Sequence, residues 1–226
     1  MAIKVFIHIP KCGGSTMRDK MLSFFKKNQV LKIYHNDPEK GYYSSLSYQT
    51  KYPDLLTSNV KAICGHIPYQ EIQQSLAGKD HTIISLIRDP VDRAISNINY
   101  MKTKPNHSGH KFSLTITKDN LFSYLSKRND ISYQANYLGL EYFGSIKAIL
   151  DNIGIYKLDN YKKALFDIGI ISNFEEHVDI KNITTSQPAA ASDKYRLLSK
   201  NDLAKEDLLT LKDIYYIDYE LLSAAS

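Results

Sequence analysis

The sequence predicts an α/β fold with a central parallel sheet and a mainly helical C-terminal half. Three observations carry this. Short β-rich apolar runs recur at 3–9, 31–35, 60–64 and 81–87, separated by polar stretches. Such runs suit strands buried on both faces of a parallel sheet. The first run breaks into "PKCGGST" and is followed by Met17, Met21, Phe24 and Phe25 at helical spacing, which reads as strand, glycine turn, helix. Past residue 119 the apolar spacing is mainly helical.

Each element has its own signal. The run at 81–87 enters "RDPVDRAISNINYM", where Asp89 suits the N-cap and Pro90 the first helical position. Val91, Ala94, Ile95 and Ile98 then fall on one core-facing stripe. Further helices are predicted over 119–127, 131–138 and 144–151, followed by a short strand at 168–172. Ser199 and Asp202 have capping-box spacing and are expected to open a last helix running toward Leu222. The stretch "TTSQPAAASDKYR" (184–196) reads as a low-complexity loop, and no internal repeat is present. A length of 226 residues with 43% hydrophobic content suits one domain spanning 1–226.

Composition narrows the function classes. The net charge of +5 is uneven: residues 1–111 carry 16 Lys/Arg and 8 Asp/Glu, residues 112–226 carry 13 and 16. That modest basicity fits a small polyanionic ligand and no nucleic-acid track, which needs a denser basic stripe. The N-terminus enters a strand at once, with no signal-peptide pattern, and no apolar run reaches membrane-spanning length. A soluble, cytoplasmic chain without an integral membrane segment is therefore expected. Cys12 and Cys64 make neither a metal-ligand pattern nor a disulfide framework, which fits a reducing compartment.

The turn "FIHIPKCGGST" (6–16) has the chemistry of an anion site. A glycine turn at a helix N-terminus brings backbone N–H groups and the positive helix end to one spot. Lys11 adds a mobile charge, and Ser15 and Thr16 add hydroxyls. A plain tight βα turn would account for Gly13 and Gly14 alone, but not for the full donor set. The loop is not a Walker A motif, because its lysine precedes the glycines rather than the hydroxyl residue.

"HIPKCGGST" resembles the 5′-phosphosulfate loop of carbohydrate sulfotransferases of the heparan sulfate 2-O-sulfotransferase type, whose usual form is close to HxPKTGGTS. "IISLIRDPVDRAISNINY" resembles their second signature, in which Arg88 and Ser96 would bind a 3′-phosphate. "AICGHIPYQEI" resembles the segment that supplies the catalytic base, which maps onto His66; His8, earlier in the first strand, is expected to pack or orient neighbours. The resemblance implies a P-loop NTPase-like three-layer core and 3′-phosphoadenosine 5′-phosphosulfate (PAPS) as co-substrate, with no metal.

It further implies Lys11, Cys12, Gly13, Gly14, Ser15 and Thr16 around the 5′ end of the donor. Lys11 stabilises charge during in-line displacement, and Lys194, Tyr195 and Arg196 are candidates to close over the nucleotide. The acceptor implied is a carbohydrate or glycolipid hydroxyl, in a groove lined by the tyrosine-rich segments 42–52 and 133–142. "ISYQANYLGL" (131–140) and "IGIISNFEEHVDI" are softer matches. Two departures stand out: Cys12 replaces a usual threonine, and Ser15-Thr16 reverses the common order. An ATP-using kinase with a degenerate loop, and a noncatalytic module binding nucleotide or anionic glycan, remain the alternative readings.

Overall fold

The computed structural model describes residues 2–34, 42–43, 56, 58–173 and 193–226. Ile3–Ile7 (β1) passes through the glycine turn into Gly14–Phe24 (α1), followed by Val30–Ile33 (β2) and the two-residue Tyr42–Tyr43 (β3). Ala62–Gly65 (β4) leads to Tyr69–Leu76 (α2), and His81–Ile87 (β5) to Pro90–Lys102 (α3). His110–Ser113 (α4), Leu121–Ser126 (α5), Tyr133–Tyr137 (α6), Leu140–Phe143 (α7) and Ile146–Asn152 (α8) come next. Gly154–Lys157 (β6), Tyr161–Asp167 (α9), Lys205–Ile214 (α10) and Tyr216–Ala224 (α11) complete the order.

The chain divides into two compact units: Met1–Ile87 with Gln134–Asn182 and Ala224–Ser226, and Arg88–Tyr133 with Ile183–Ser223. The first holds the whole sheet, whose order is β3-β2-β4-β1-β5-β6 with every pairing parallel. Alternation along the strands buries both faces. Phe6, Cys64, Ile84 and Leu86 pack in one cluster with Met17 and Met21 of α1 and Ala164 and Leu165 of α9. Val5, Ile7, Ile63, Ile83 and Ile87, one residue out of step, are buried as well. Phe24, expected on the buried stripe of α1, is 54% exposed, and Phe25 takes the core position instead.

The expected strand at 168–172 is replaced by a helix stop. Gly169 has φ 73°, the Gly169 N–H donates to Phe166 O (2.8 Å) and the Ile170 N–H to Leu165 O (2.9 Å). That is a Schellman cap on α9, and Ile168, Ile170 and Ile171 are apolar because they seal it against the core. The sixth strand is β6 instead. Its edge is bonded by Ser226, whose N–H donates to Ile155 O (3.1 Å) and whose carbonyl accepts from Lys157 N (2.9 Å).

In the second unit, the predicted stripe of Val91, Ala94, Ile95 and Ile98 packs with Leu121 and Leu125 of α5 and Leu211 and Tyr215 near the end of α10. Asp89 caps α3 by accepting from Asp92 N (3.0 Å), with Pro90 beginning the helix. The Ser199–Asp202 capping box forms, but it opens a single 3-10 turn, Lys200–Asp202. The helix proper starts at Lys205 and is interrupted before Tyr216.

Candidate functional site

β1, β4 and β2 are neighbours and parallel, so their C-terminal ends share one sheet edge. β1 delivers the glycine loop there, β4 delivers His66 and β2 delivers Tyr34. The ladder runs one residue past the strands: His8 N donates to Gly65 O (2.8 Å) and His66 N to Ile33 O (2.6 Å).

The loop is a strained turn. The Cys12 N–H donates to Ile9 O (3.2 Å), Lys11 sits at φ 72° and Gly13 at φ 74°. Lys11 is the described non-glycine residue in the left-handed region, which costs a side chain about 1–2 kcal/mol. Gly13 is the N-cap of α1, whose first turn contains no acidic residue and no capping side chain. The positive end of the helix is thus left for an outside anion. Gly14 is needed for close approach: a Cβ there would lie 2.1 Å from His8 Cδ2. The His8 ring is therefore wedged directly beneath the helix start. Ser15 is half-buried and Thr16 buried.

Cys12 is fully buried, and its Sγ–H donates to Oε1 of Gln134, also fully buried, at 3.3 Å. The residue standing for a threonine in the resembled motif thus ties the loop to α6. Cys64 lies within β4, where burial pushes its thiol up to about 12; Cys12 and Cys64 form no disulfide.

His66 has a defined tautomer. Its Nδ1 is 2.8 Å from the His8 carbonyl oxygen, which can only accept, so Nδ1 carries the proton and Nε2 is the basic nitrogen. The two rings lie 4.3 Å apart, and Tyr34 stands edge-on to His66 at 4.8 Å with its hydroxyl 3.0 Å from His8 Nδ1. Burial holds His66 below the ordinary imidazole value. Arg18 and Lys11 add to this, and the bond to His8 opposes it. His8 is held well below that value, first by burial and then by His66, Arg18 and Lys11. Both rings are neutral near pH 7, which His66 requires to act as a base.

The second unit carries the other predicted residues. Arg88 follows immediately on β5 and is half-buried. Lys200 Nζ is 2.6 Å from Asp89 Oδ2 and 3.6 Å from Asp92 Oδ2. Ser96 is half-buried on the α3 face shared with Asp92 and the exposed Tyr100, as its spacing predicts. Lys194, Tyr195 and Arg196 are exposed. Lys194 Nζ lies 5.1 Å from the Tyr195 ring, and the Arg196 guanidinium pairs with Asp202 at 2.5 Å. Residues 184–192 and the side chains of 42–52 lie outside the described residues.

Sequence reasoning missed Tyr34, Arg18 and Gln134. Tyr34 had a usable signal, since it ends a strand on the same edge as His66. Arg18, one turn into α1, and Gln134, inside a soft match, had none beyond position. Among the described residues there is no cluster of three or more metal-ligating side chains, and no helix long and apolar enough to cross a membrane.

The family whose model matches the chain is described as "Sulfotransferase domain", over residues 6–149. That span is more than half of the chain and contains the loop, His66, Arg88 and Ser96. No curated protein matches.

Proposed function

Because the chain belongs to the sulfotransferase domain family, we propose that it moves a sulfuryl group from PAPS to a hydroxyl of a carbohydrate or glycolipid, as in the heparan sulfate 2-O-sulfotransferase type. One observation carries the reading to named atoms: His66 Nδ1–H is committed to the His8 carbonyl, so Nε2 is the lone pair offered at the edge where the anion loop ends. In the reaction Nε2 takes the proton of the acceptor hydroxyl as its oxygen attacks sulfur. The bond from sulfur to the 5′-phosphate oxygen breaks in line, and 3′-phosphoadenosine 5′-phosphate leaves. Lys11 and the loop amides offset charge on the departing oxygens, the work that a metal ion does in P-loop nucleotide hydrolases.

Arg88 and Ser96 are assigned to the 3′-phosphate, for which a guanidinium fork and a hydroxyl donor are well suited. ATP lacks that phosphate, so calorimetric titration with adenosine 3′,5′-bisphosphate and with ATP tests the donor. Preference for ATP would refute it. Arg88→Ala is expected to weaken bisphosphate binding by about 1.5–3 kcal/mol, the worth of a charge-assisted contact. His66→Ala is expected to lower sulfuryl transfer by about 10²–10⁴-fold, the usual range for a general base, with bisphosphate affinity near normal. Wild-type turnover in His66→Ala would remove His66 from the mechanism.

A further inference from the structure

We propose that Tyr69, Tyr142 and Phe143 form a stacking platform for a pyranose ring of the acceptor; this rests on the carbohydrate reading given above. Tyr69 follows His66 by three residues. Between them Ile67 is buried, and Pro68 fixes the backbone at φ −64° as the N-cap of α2. The base and the first ring of the platform therefore share one short, stiff connection.

The platform's other two rings come from α7, and that helix is bound to the same edge at two points. Gly139, at φ 92°, passes so close to Tyr69 that a Cβ would lie 2.9 Å from its Cδ1. Five residues earlier, Gln134 accepts the Cys12 thiol proton and so joins this segment to the anion loop. The α7 turn is closed by Gly144 at φ 77°, whose N–H donates to Leu140 O at 2.8 Å. Tyr142 and Phe143 are thus presented by a rigid turn.

The rings form a connected cluster. Phe143 is 4.6 Å from Tyr69 between centroids, Tyr142 is 5.3 Å from Tyr69, and Tyr142 and Phe143 stand nearly perpendicular at 5.1 Å. Core packing accounts for the half-buried Tyr69 and Phe143 but not for Tyr142, which is 54% exposed. Tyr142 is joined to Tyr69 and Phe143 in one contiguous aromatic surface, and contiguous apolar surfaces of this kind mark ligand sites where singly scattered exposed residues do not. The negative face of an aromatic ring attracts the C–H face of a pyranose, while the sugar hydroxyls around its edge stay accessible to a base.

The test uses the full chain with adenosine 3′,5′-bisphosphate bound. Chitohexaose, cellohexaose and a glucuronate–glucosamine hexasaccharide serve as probes, read by saturation-transfer NMR and calorimetry. At least one hexasaccharide should bind the wild type. Tyr142→Ala should weaken that binding about tenfold, the equivalent of one aromatic contact, whereas Tyr142→Phe should preserve it; bisphosphate affinity should be unchanged in both. Tyr142 is the clean position because its exposure leaves folding unaffected. The platform is overturned if no hexasaccharide binds, if Tyr142→Ala binds like the wild type, or if 4-nitrophenol displaces every sugar from it. In each of those cases intact bisphosphate binding and sulfuryl transfer would leave the donor assignment standing, and their loss would mark failure of the wider reading.

Discussion

Lys11, which we propose to stabilise charge in the transfer, has a backbone conformation that side chains avoid. At φ 72° a glycine is unstrained, whereas alanine carries the same penalty as lysine. Lys11→Gly is therefore expected to be about 1 kcal/mol more stable than Lys11→Ala, while both lose sulfuryl transfer alike. Urea unfolding and a turnover assay on the two variants check this, and equal stabilities would show that the strain is absent. The histidine pair carries a second residue-scale expectation. His8 and His66 are both held below the ordinary imidazole value of about 6.5. Between each folded value and about 6.5 the unfolded chain binds the extra proton, so stability rises with pH through that window and is lost as pH falls. Each histidine contributes a slope of at most about 1.4 kcal/mol per pH unit. Replacing His8 by Leu should flatten the acid side of the stability profile, read from urea midpoints between pH 5 and 8. The acid limb of the turnover profile should fall below about 6.5 because His66 stays neutral there.

Among the elements, α3 was the most legible and the segment around 168 the least. The Asp-Pro start of α3 is a local chemical signal: a carboxylate that caps Asp92 N and a ring that fits the first helical position. The apolar run at 168–172 was misread because a Schellman cap and a buried strand call for the same residue types. Only Gly169, in the left-handed region, distinguishes them. β6 was missed because four residues, Gly-Ile-Tyr-Lys, give too little alternation to recognise. The link between α3 and the turn after α5 was invisible as well, since it depends on spatial pairing. Arg93 is buried with Nη2 3.5 Å from Asp130 and its ring-facing side 4.0 Å from Tyr133, while Arg128 makes a bidentate contact with the same carboxylate. Nε of Arg93 has no hydrogen-bond partner, so the stack on Tyr133 is its main compensation. Asp130→Asn leaves two poorly solvated guanidinium groups without a counter-charge and should cost about 3 kcal/mol. Arg93→Met keeps the Arg128–Asp130 pair and should cost less than half of that. Denaturant midpoints on both variants decide it, and the reverse order would refute the assignment.

At the scale of the whole molecule, sequence reasoning reached the parallel sheet, the strand, glycine turn and helix that open it, and the sulfotransferase domain family, because these rest on local motifs and strand-length apolar runs. The division into two compact units was not legible, since the boundary at Arg88 interrupts no hydrophobic pattern and carries no linker composition. A nucleotide that binds the folded chain and not the unfolded one stabilises it against unfolding. At a bisphosphate concentration about 100 times its Kd, the native state gains about 2.7 kcal/mol. For a chain of this size that corresponds to a rise in Tm of about 5–10 °C. Calorimetry should show the unfolding transition moving upward with bisphosphate, with a smaller response to ATP at the same concentration and in the Arg88→Ala variant. An equal response to ATP, or an unchanged response in Arg88→Ala, would deny Arg88 the 3′-phosphate.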